Sequence, residues 1–418
     1  MSVSEGSAEG GKALFDPSVV WEELARGGER IVLLVLDGLG GLPHPETGRS
    51  ELQTARIPNL DAIAASAACG LSEPVAAGIT PGSGPGHLGL FGYHPLRHRI
   101  GRGILSALGI DFPLQEGDLA ARINFATVDE KGLVQDRRAG RIATDEARVL
   151  CDRIRESIML GDDVELFLEP VREHRAVLVL RGHGLAGDLE DTDPQQTGAP
   201  PRPARARTKE SERAASLIRS FVEQVGDLLG DEPRANSVLL RGFDVHRPLP
   251  SLEQRFGLTG ICLAEYPMYR GVSRLMGLDV DDDAGDAQDI FRNRLPAVWS
   301  QAHDLVFVHF KQTDSRGEDG DFDAKVAALE EVDGLIPSLL DLDPRVLVVA
   351  GDHSTPSRMA SHSWHPVPLL IRAETARVDG VQCFDELACA SGSLGRRPAL
   401  DVMGLALAHA GRLEKYGA

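Results

Sequence analysis

Three apolar runs stand out along the chain, and an aspartate follows each of them closely. The runs cover residues 31–36, 305–310 and 346–350 and consist mostly of Val, Leu, Ile, Phe and Ala. Short continuous apolar runs are typical of strands that are buried on both faces of a parallel sheet. The aspartates that follow them are Asp37, Asp314 and Asp352. Since parallel strands end at the same edge of a sheet, we expect these three carboxylates to lie close together.

Helical periodicity links the second run to the third. Apolar residues recur at helical spacing from Phe322 to Leu339, which predicts a crossover helix between two parallel strands. A short strand is predicted at 367–371, where Pro368 indicates an edge strand. Three more helices are predicted in the same parts of the chain, at 58–68, from His87 onward, and at 399–411.

Residues 118–265 have a different pattern, with short strands, two longer helices and many of the arginines. The Pro/Arg-rich stretch 198–207 indicates an exposed loop. Strands are predicted at 121–127, 175–180, 236–240 and 259–263. Helices are predicted at 143–158 and 209–229. We therefore predict one discontinuous α/β domain, 1–110 with 270–418, whose central, mostly parallel sheet is flanked by helices. A smaller α/β (α+β) domain, 111–269, would be inserted into it.

Composition narrows the classes of function. The chain has 418 residues, is 42% hydrophobic and carries a formal charge of −19, which argues against nucleic acid and anionic membranes as partners. The apolar runs are too short to span a bilayer, and residues 1–11 lack the apolar stretch of a signal peptide. Five scattered cysteines indicate reduced thiols in a cytoplasm. Any anionic substrate would need a local cluster of Arg and Lys.

Seven side chains are candidate metal ligands. Two of them are consecutive at the end of a buried strand, and buried polar groups of this kind require partners. Carboxylate and imidazole donors together suit Mn²⁺ or Zn²⁺ better than Ca²⁺ or Mg²⁺. Seven ligands would be enough for two metal ions, which can stabilise charge on a transferring phosphoryl group. The candidates are Asp37, Ser83, Asp314, Glu318, Asp352, His353 and His362.

Ser83 is the candidate nucleophile. It lies in the Gly/Pro-rich turn 78–86, just before a predicted helix, where backbone N–H groups and the helix dipole can stabilise an anion. A serine hydroxyl needs a base or a metal to become a good nucleophile, and no base is close to it in sequence. A serine in such a turn is more often structural, and an Asp-Gly pair after a strand is usually a turn. The occurrence of this serine together with the aspartates and histidines favours a metal site over these structural explanations.

The chain resembles the alkaline phosphatase superfamily and, within it, the cofactor-independent (2,3-bisphosphoglycerate-independent) phosphoglycerate mutases, specifically their archaeal-type branch. The resemblance extends over nearly the whole chain from about residue 30. The segments that carry it include 37–38, 80–88, 101–103, 122–129, 136–141, 174–175, 191–194, 240–242, 269–271 and 352–356. It implies that Asp37, Ser83, Asp352 and His353 hold one metal ion and that Asp314, Glu318 and His362 hold the other.

The resemblance further implies an isomerase that interconverts 3-phosphoglycerate and 2-phosphoglycerate, with Ser83 phosphorylated during turnover. Mn²⁺ is the first choice of metal, with Zn²⁺, Co²⁺ or Mg²⁺ as alternatives. The substrate would be a small phosphorylated carboxylic acid. The resemblance is compatible with a homo-oligomer. The predicted substrate-binding residues are Arg122, Arg137, Arg138, Arg141, Arg175, Arg270 and Lys311.

Three positions depart from the family pattern. Glu318 replaces a usual His, Gly84 a usual acid, and Arg270 a usual Lys. A phosphatase or phosphodiesterase would use the same serine and metals but would admit water. A mutase acting on another phospho- or phosphono-acid, and a protein that has lost catalysis, are further alternatives.

Overall fold

The computed structural model of the chain describes residues 16–417. The segment 1–11, for which no signal peptide is predicted, lies outside this range. Within the described residues, thirteen strands form two sheets. The strands are β1 (Ile31–Leu36), β2 (Ala68–Glu73), β3 (Leu119–Val128), β4 (Val134–Asp136), β5 (Val164–Arg172), β6 (Arg175–Gly182), β7 (Ser237–Val245), β8 (Gly260–Ala264), β9 (Asp279–Val280), β10 (Leu305–Phe310), β11 (Val346–Ala350), β12 (Val367–Ala373) and β13 (Gly395–Pro398).

Helices cover the faces of both sheets. In the same part of the chain the α-helices are α1 (Ser18–Leu24), α2 (Glu51–Thr54), α3 (Pro58–Ala64), α4 (Ser83–Leu90), α5 (Arg102–Gly109), α6 (Thr144–Ser157), α7 (Glu212–Leu229), α8 (Leu252–Phe256), α9 (Pro267–Leu275), α10 (Ala287–Asp289), α11 (Leu295–Trp299), α12 (Gln312–Glu318), α13 (Phe322–Asp333), α14 (Ile336–Leu340), α15 (Glu386–Cys389) and α16 (Leu400–His409). A π-helical segment, Ile290–Arg294, joins α10 to α11.

The large sheet has eight strands in the order β13-β2-β12-β11-β1-β10-β8-β9. Its centre is parallel, because β1 pairs with both β10 and β11, and β10 pairs with β8. Alternate β1 side chains enter the hydrophobic clusters on opposite faces, so the strand is buried throughout. The predicted mostly parallel central sheet is therefore confirmed, with the three apolar runs side by side at its centre.

The crossover between β10 and β11 is helical, as the periodicity predicts, but it contains three helices, α12, α13 and α14, and the predicted stretch 322–339 is divided between the last two. Helix α13 begins after Asp321, whose side chain accepts a hydrogen bond from the backbone N–H of Ala324 at 2.9 Å. Pro337 lies in the first turn of α14. Backbone N–H groups in the first turn of a helix have no partner within the helix, so proline costs no hydrogen bond there.

The second sheet is antiparallel. Strand β3 lies between β6 and β7, β5 pairs with β6, and β4 continues beside the end of β3. Helices α6 and α7 bury their apolar faces in the hydrophobic cluster of this sheet. This arrangement confirms the predicted fold class, in which a smaller unit accompanies the large sheet.

Two details of the strand predictions are wrong. The strand predicted at 259–263 was placed in the inserted region, but β8 pairs with β10 in the large sheet. Strand β12 is not an edge strand, because it lies between β11 and β2. Pro368 is accommodated because the β11 register ends at Leu369, which leaves Pro368 with a partner only on the β2 side. We propose that the inserted unit ends near residue 246 rather than at 269.

Helix α5 connects the two sheets through close backbone contacts. A Cβ on Gly103 would lie 2.4 Å from the carbonyl carbon of Ala120 in β3. A Cβ on Gly271 in α9 would lie 2.1 Å from the carbonyl oxygen of Leu105. Only glycine fits at these two contacts, one between α5 and β3 and one between α9 and α5. Helix α5 therefore packs closely against β3 of the antiparallel sheet and against α9 of the large-sheet unit.

Candidate active site

The carboxyl ends of β1, β10 and β11 bring together the acids that follow these strands. Asp37 and Asp352 are fully buried. The Nε2 atom of His353 lies 3.4 Å from Asp37 Oδ1 and 3.3 Å from Asp352 Oδ2. The donor atoms of these three residues all lie within 4.8 Å of one another. They form a first compact group of potential ligands.

A second group lies next to the first. Asp314, His353 and His362 also have donor atoms within 4.8 Å of one another. His362 Nε2 lies 3.5 Å from Asp314 Oδ1 and 3.5 Å from Glu318 Oε1. Glu318 is at the rim of the site, with its side chain 55% exposed. The structure thus places all the acidic and imidazole candidates in one cluster.

Ser83 is the first residue of α4 and is 7% exposed. Its Oγ lies 3.1 Å from His353 Nε2, at the border of the first group. The ring of His87, one turn further along α4, has its Nδ1 2.8 Å from the Ser83 carbonyl oxygen and 3.3 Å from Asp352 Oδ2. A Cβ on Gly86 would lie 2.1 Å from the Asp352 carbonyl oxygen. Small residues in this turn therefore let α4 approach the strand ends.

The donor set fits divalent cations. Asp37 Oδ1 and Asp352 Oδ2 are buried and have no hydrogen-bond partner among the described residues. Buried carboxylate oxygens without partners are costly, and a bound cation would satisfy them. A mixture of carboxylate, imidazole and hydroxyl donors suits ions such as Mn²⁺ and Zn²⁺.

Lys311 is the ammonium group within this cluster. Its Nζ lies 3.1 Å from Asp37 Oδ2 and also donates to Asp314 Oδ2. Burial is the largest single influence and opposes its charge, but Asp37, Tyr269 and Asp314 together outweigh burial and raise the pKa of Lys311 well above its ordinary value. Burial, with the charge of Asp37 second, raises the pKa of Asp314. The site is therefore rich in negative charge and only partly neutralised by the protein itself.

Two aromatic residues that the sequence analysis did not select also contact Asp37. The Tyr269 hydroxyl donates to Asp37 Oδ2, and its ring stacks on His309 at 3.5 Å. His309 Nε2 lies 3.3 Å from the same oxygen, and burial lowers the pKa of His309 to about 4. An imidazole within an otherwise apolar run was the available signal for His309.

A cavity of about 380 Å³ separates this cluster from the antiparallel sheet. On one side it is lined by Ser83, Lys311, Asp314, Glu318 and His362. Guanidinium groups dominate the facing side, which we call the arginine wall and which consists of Arg102, Arg122, Arg137, Arg138, Arg175 and Arg241.

The predicted substrate-binding residues divide into two groups. Four of the arginines and Lys311 line the cavity, whereas Arg141 and Arg270 do not. The Arg270 guanidinium instead donates to the carbonyl oxygens of Ala264 at 2.8 Å and Ala284 at 2.9 Å. Its contacts thus connect the end of β8 to the segment that precedes α10. Arg102 and Arg241 were missed, although both are in Gly-containing motifs that carry the family resemblance.

The arginine wall is short of counterions. Burial, and then repulsion from Arg241, lowers the pKa of Arg122 to about 9. The Nε atoms of Arg175 and Arg241 have no hydrogen-bond partner within residues 16–417. Two members of the wall have a carboxylate partner: Arg137 makes a bidentate contact with Asp193, at 2.9 and 2.7 Å, and Arg175 lies 3.8 Å from a carboxylate oxygen of Glu173. Crowded guanidinium groups with few carboxylate partners are suited to bind an anion.

Within the described part of the chain, no helix has both the length and the apolar character needed to cross a bilayer. The fold and the site together define an α/β protein in which clustered acids and imidazoles, with a serine beside them, face a wall of arginines across one cavity, an arrangement suited to phosphoryl transfer.

Comparisons with known proteins agree with this class. The family model described as 2,3-bisphosphoglycerate-independent phosphoglycerate mutase matches residues 64–235. A probable mutase of this kind from Thermosipho africanus is 47% identical over 96% of this chain and 98% of its own length. Another probable mutase of this kind, from Aquifex aeolicus, is 44% identical over 96% of this chain and 100% of its own length.

Solved structures give the same result. A cofactor-independent phosphoglycerate mutase from Thermoplasma acidophilum superposes with a TM-score of 0.64 at 30% identity, over 92% of this chain and 100% of its own. A Pyrococcus horikoshii protein gives a TM-score of 0.79 at 27% identity, over 94% and 100%. The chain belongs to the 2,3-bisphosphoglycerate-independent phosphoglycerate mutase family, a family of isomerases.

Proposed function

We propose that this protein interconverts 3-phosphoglycerate and 2-phosphoglycerate through a phosphoserine at Ser83. One observation carries the proposal: a single cavity of about 380 Å³ has Ser83 and the proposed ligands Asp314, Glu318 and His362 on one side and the arginine wall on the other. Both anionic groups of a small phosphorylated acid can be held in such a cavity at once. Its size is at the lower end of the range of about 300–1,000 Å³ for small-molecule sites.

Two divalent cations would be held by the two ligand groups, and Mn²⁺ is our first choice. Asp37, Ser83, Asp352 and His353 would hold one ion. The second ion would be held by Asp314, Glu318 and His362. When bound, such ions supply charge that lowers the pKa of the serine hydroxyl and neutralises the phosphoryl oxygens.

Ser83 then acts as the nucleophile. Its Oγ gives up its proton and forms a bond to phosphorus, while the bond from phosphorus to the glycerate oxygen breaks and that oxygen takes up a proton. The glycerate turns within the cavity, and its other hydroxyl oxygen attacks the phosphoserine. That hydroxyl loses its proton and the Ser83 oxygen regains one, so no water or second phosphate donor is consumed.

The arginine wall has two tasks in this reaction. Bidentate guanidinium contacts would hold the carboxylate and the phosphate in a defined orientation. They would also keep the free glycerate in the cavity between the two transfers. Arg122 and Arg241 are the best placed for this role, because both are half-buried and repel each other when no anion is bound.

Exclusion of water decides between transfer and hydrolysis. The cavity has walls from both sheets, and the close packing of α5 against β3 and α9 supports their juxtaposition. A glycerate that stays between these walls competes with water for the phosphoserine. This favours a mutase over a phosphatase with the same serine.

The decisive experiment follows both products at once. Purified protein with Mn²⁺ and 3-phosphoglycerate should form 2-phosphoglycerate without free phosphate. Free phosphate alone would support a phosphatase instead. If neither product appears with Mn²⁺, Zn²⁺, Co²⁺ or Mg²⁺, the catalytic proposal is wrong for this substrate.

A further inference from the structure

The hydroxyl of Thr355 connects the two ligand groups. Thr355 is fully buried, and its Oγ1 lies 2.7 Å from Asp314 Oδ1 and 2.9 Å from His353 Nδ1. A direct contact between His353 Nδ1 and Asp314 is too long for a hydrogen bond, at 3.9 Å. Thr355 therefore supplies the bridge between an imidazole of one group and a carboxylate of the other.

The direction of the two hydrogen bonds follows from the number of protons available. A threonine hydroxyl has one proton to donate, and an ionised carboxylate can only accept. Lys311 donates to Asp314 Oδ2, and the Thr355 hydroxyl is the donor that faces Oδ1 of the same carboxylate. Thr355 must then donate to Asp314, and it can only accept from His353. This requires the proton of the neutral His353 ring to be on Nδ1.

The other ring nitrogen consequently keeps its lone pair. His353 Nε2 faces Ser83 Oγ at 3.1 Å and Asp37 Oδ1 at 3.4 Å, which is the direction in which a ligand of the first cation must point. Neutral imidazole binds metals through its unprotonated nitrogen, and the partner of the other nitrogen selects the tautomer.

The protein backbone is built around this hydroxyl. Gly38 has a φ of +65°, and a Cβ there would lie 2.6 Å from Thr355 Oγ1. The Thr355 N–H donates to the Gly40 carbonyl at 3.1 Å. The buried Lys325 ammonium donates to the Thr355 carbonyl at 2.8 Å and to the Gly38 carbonyl at 2.8 Å. These contacts leave Thr355 little freedom to turn its hydroxyl elsewhere.

We propose that Thr355 is a positioning residue that fixes the Nδ1–H tautomer of His353 and thereby prepares its Nε2 to bind the first cation. Thr355 also links the two cation sites mechanically, since its donated hydrogen bond orients Asp314. The inference rests on the proposed metal site, but it adds a residue outside the seven candidate ligands.

Two variants at this position separate the hydroxyl from the shape of the side chain. Thr355→Val keeps the shape and removes the hydroxyl, whereas Thr355→Ser keeps the hydroxyl. Mn²⁺ affinity, measured by calorimetric titration of the metal-free protein, should fall about 10- to 100-fold in Thr355→Val, the range found when a ligand's orienting partner is lost. In Thr355→Ser it should stay close to the wild-type value.

The tautomer itself can be observed in the wild-type protein. Side-chain ¹⁵N spectra of histidine-labelled protein, with His353→Asn used for assignment, should show a protonated Nδ1 both without metal and with Zn²⁺ bound. A protonated Nε2 in the metal-free protein would overturn the inference. This measurement decides the question if Thr355→Val does not fold.

The outcomes for the two proposals differ. If the wild-type protein binds Mn²⁺ and Thr355→Val binds it equally well, the role of Thr355 is wrong and the proposed function stands. If the wild-type protein binds neither Mn²⁺ nor Zn²⁺, both proposals are overturned.

Discussion

The two walls of the cavity are built in opposite ways. The ligand wall comprises Lys311 and the seven candidate ligands. Most of its acids and imidazoles are buried, they lie beyond the ends of parallel strands, and they contact one another closely. The arginine wall consists largely of side chains from the antiparallel sheet, whose charges repel one another and find few carboxylates. The ligand wall has an excess of negative charge, and the arginine wall has an excess of positive charge.

The difference indicates what the cavity between the two walls is suited to bind. Neither set of charges is balanced by the protein alone, so each wall is most stable when its complement is bound. The chain as a whole carries a formal charge of −19, which would repel an anionic substrate. A local concentration of guanidinium groups is the means by which the site can overcome that field.

The largest effect is expected on the ligand wall. Ser83→Ala removes the proposed nucleophile, and turnover of 3-phosphoglycerate should fall by about 10⁴-fold or more. Mn²⁺ binding should weaken less than turnover, because the carboxylates and imidazoles remain. Retained turnover in this variant would exclude the phosphoserine step, and circular dichroism would check that the fold is intact.

A substitution on the arginine wall should act on substrate rather than on metal. Arg122→Gln removes a half-buried guanidinium group, and kcat/KM should fall by about 100-fold, since losing a charged contact to a bound anion costs about 2–5 kcal/mol. Mn²⁺ affinity, measured by titration, should not change.

Arg141→Gln is the matched control for this substitution. Arg141 is exposed and does not line the cavity, so its kcat/KM should stay near the wild-type value. An equal loss in both variants would mean that the cavity is not where the substrate binds.

Glu318 tests how far the ligand wall extends. Its carboxylate is half-exposed and lies 3.5 Å from His362 Nε2. Glu318→Ala should weaken binding of the second Mn²⁺ about 10-fold, equivalent to about 1.4 kcal/mol, whereas Glu318→His should restore it. If metal content and activity are indifferent to both changes, Glu318 does not contact the metal.

The smallest effect concerns pH and the arginine wall. Burial, with the charge of Arg175 second, lowers the pKa of His174 from 6.5 to about 3. As pH falls below about 6.5, the unfolded chain binds a proton at His174 and the folded protein does not, so the free energy of unfolding decreases. The decrease continues down to the folded-state pKa of about 3.

His174→Gln should therefore lessen the loss of stability between pH 7 and pH 5.5, by about 1 kcal/mol. Urea unfolding at the two pH values measures the difference. His183→Gln, at an exposed histidine of the same sheet region, is the control and should leave the pH dependence unchanged. An unchanged dependence in His174→Gln would mean that His174 is accessible to protons in the folded protein.

Much of the ligand wall could be predicted because its signals are local in sequence. Apolar runs that end in Asp37 and Asp352 identify buried strands and the edge at which they end. Parallel pairing then requires those edges to coincide, as the register of β1 with β10 and β11 confirms. The physical reason is that burial on both faces leaves a strand few alternatives.

The arginine wall was harder to predict. Local sequence does not show which way an arginine side chain points. Arg270 is a substrate-binding candidate because its motif carries the family resemblance, but it donates to backbone carbonyls and does not line the cavity. Arg102 and Arg241 line the cavity because α5 and β7 approach each other closely, where a Cβ on Gly242 would lie 2.7 Å from Arg102 Cβ. That approach depends on packing between segments about 140 residues apart in the chain.

The sequence by itself determined the central parallel strands, the acids at their ends and the serine before a helix. Hydrophobic periodicity and turn chemistry act over a few residues, so they can be read from the chain. Only the tertiary structure decided which arginines face the serine, that β8 joins the large sheet, and that one threonine hydroxyl bridges two ligand groups. Those contacts depend on how distant elements pack, and no short stretch of the chain encodes them.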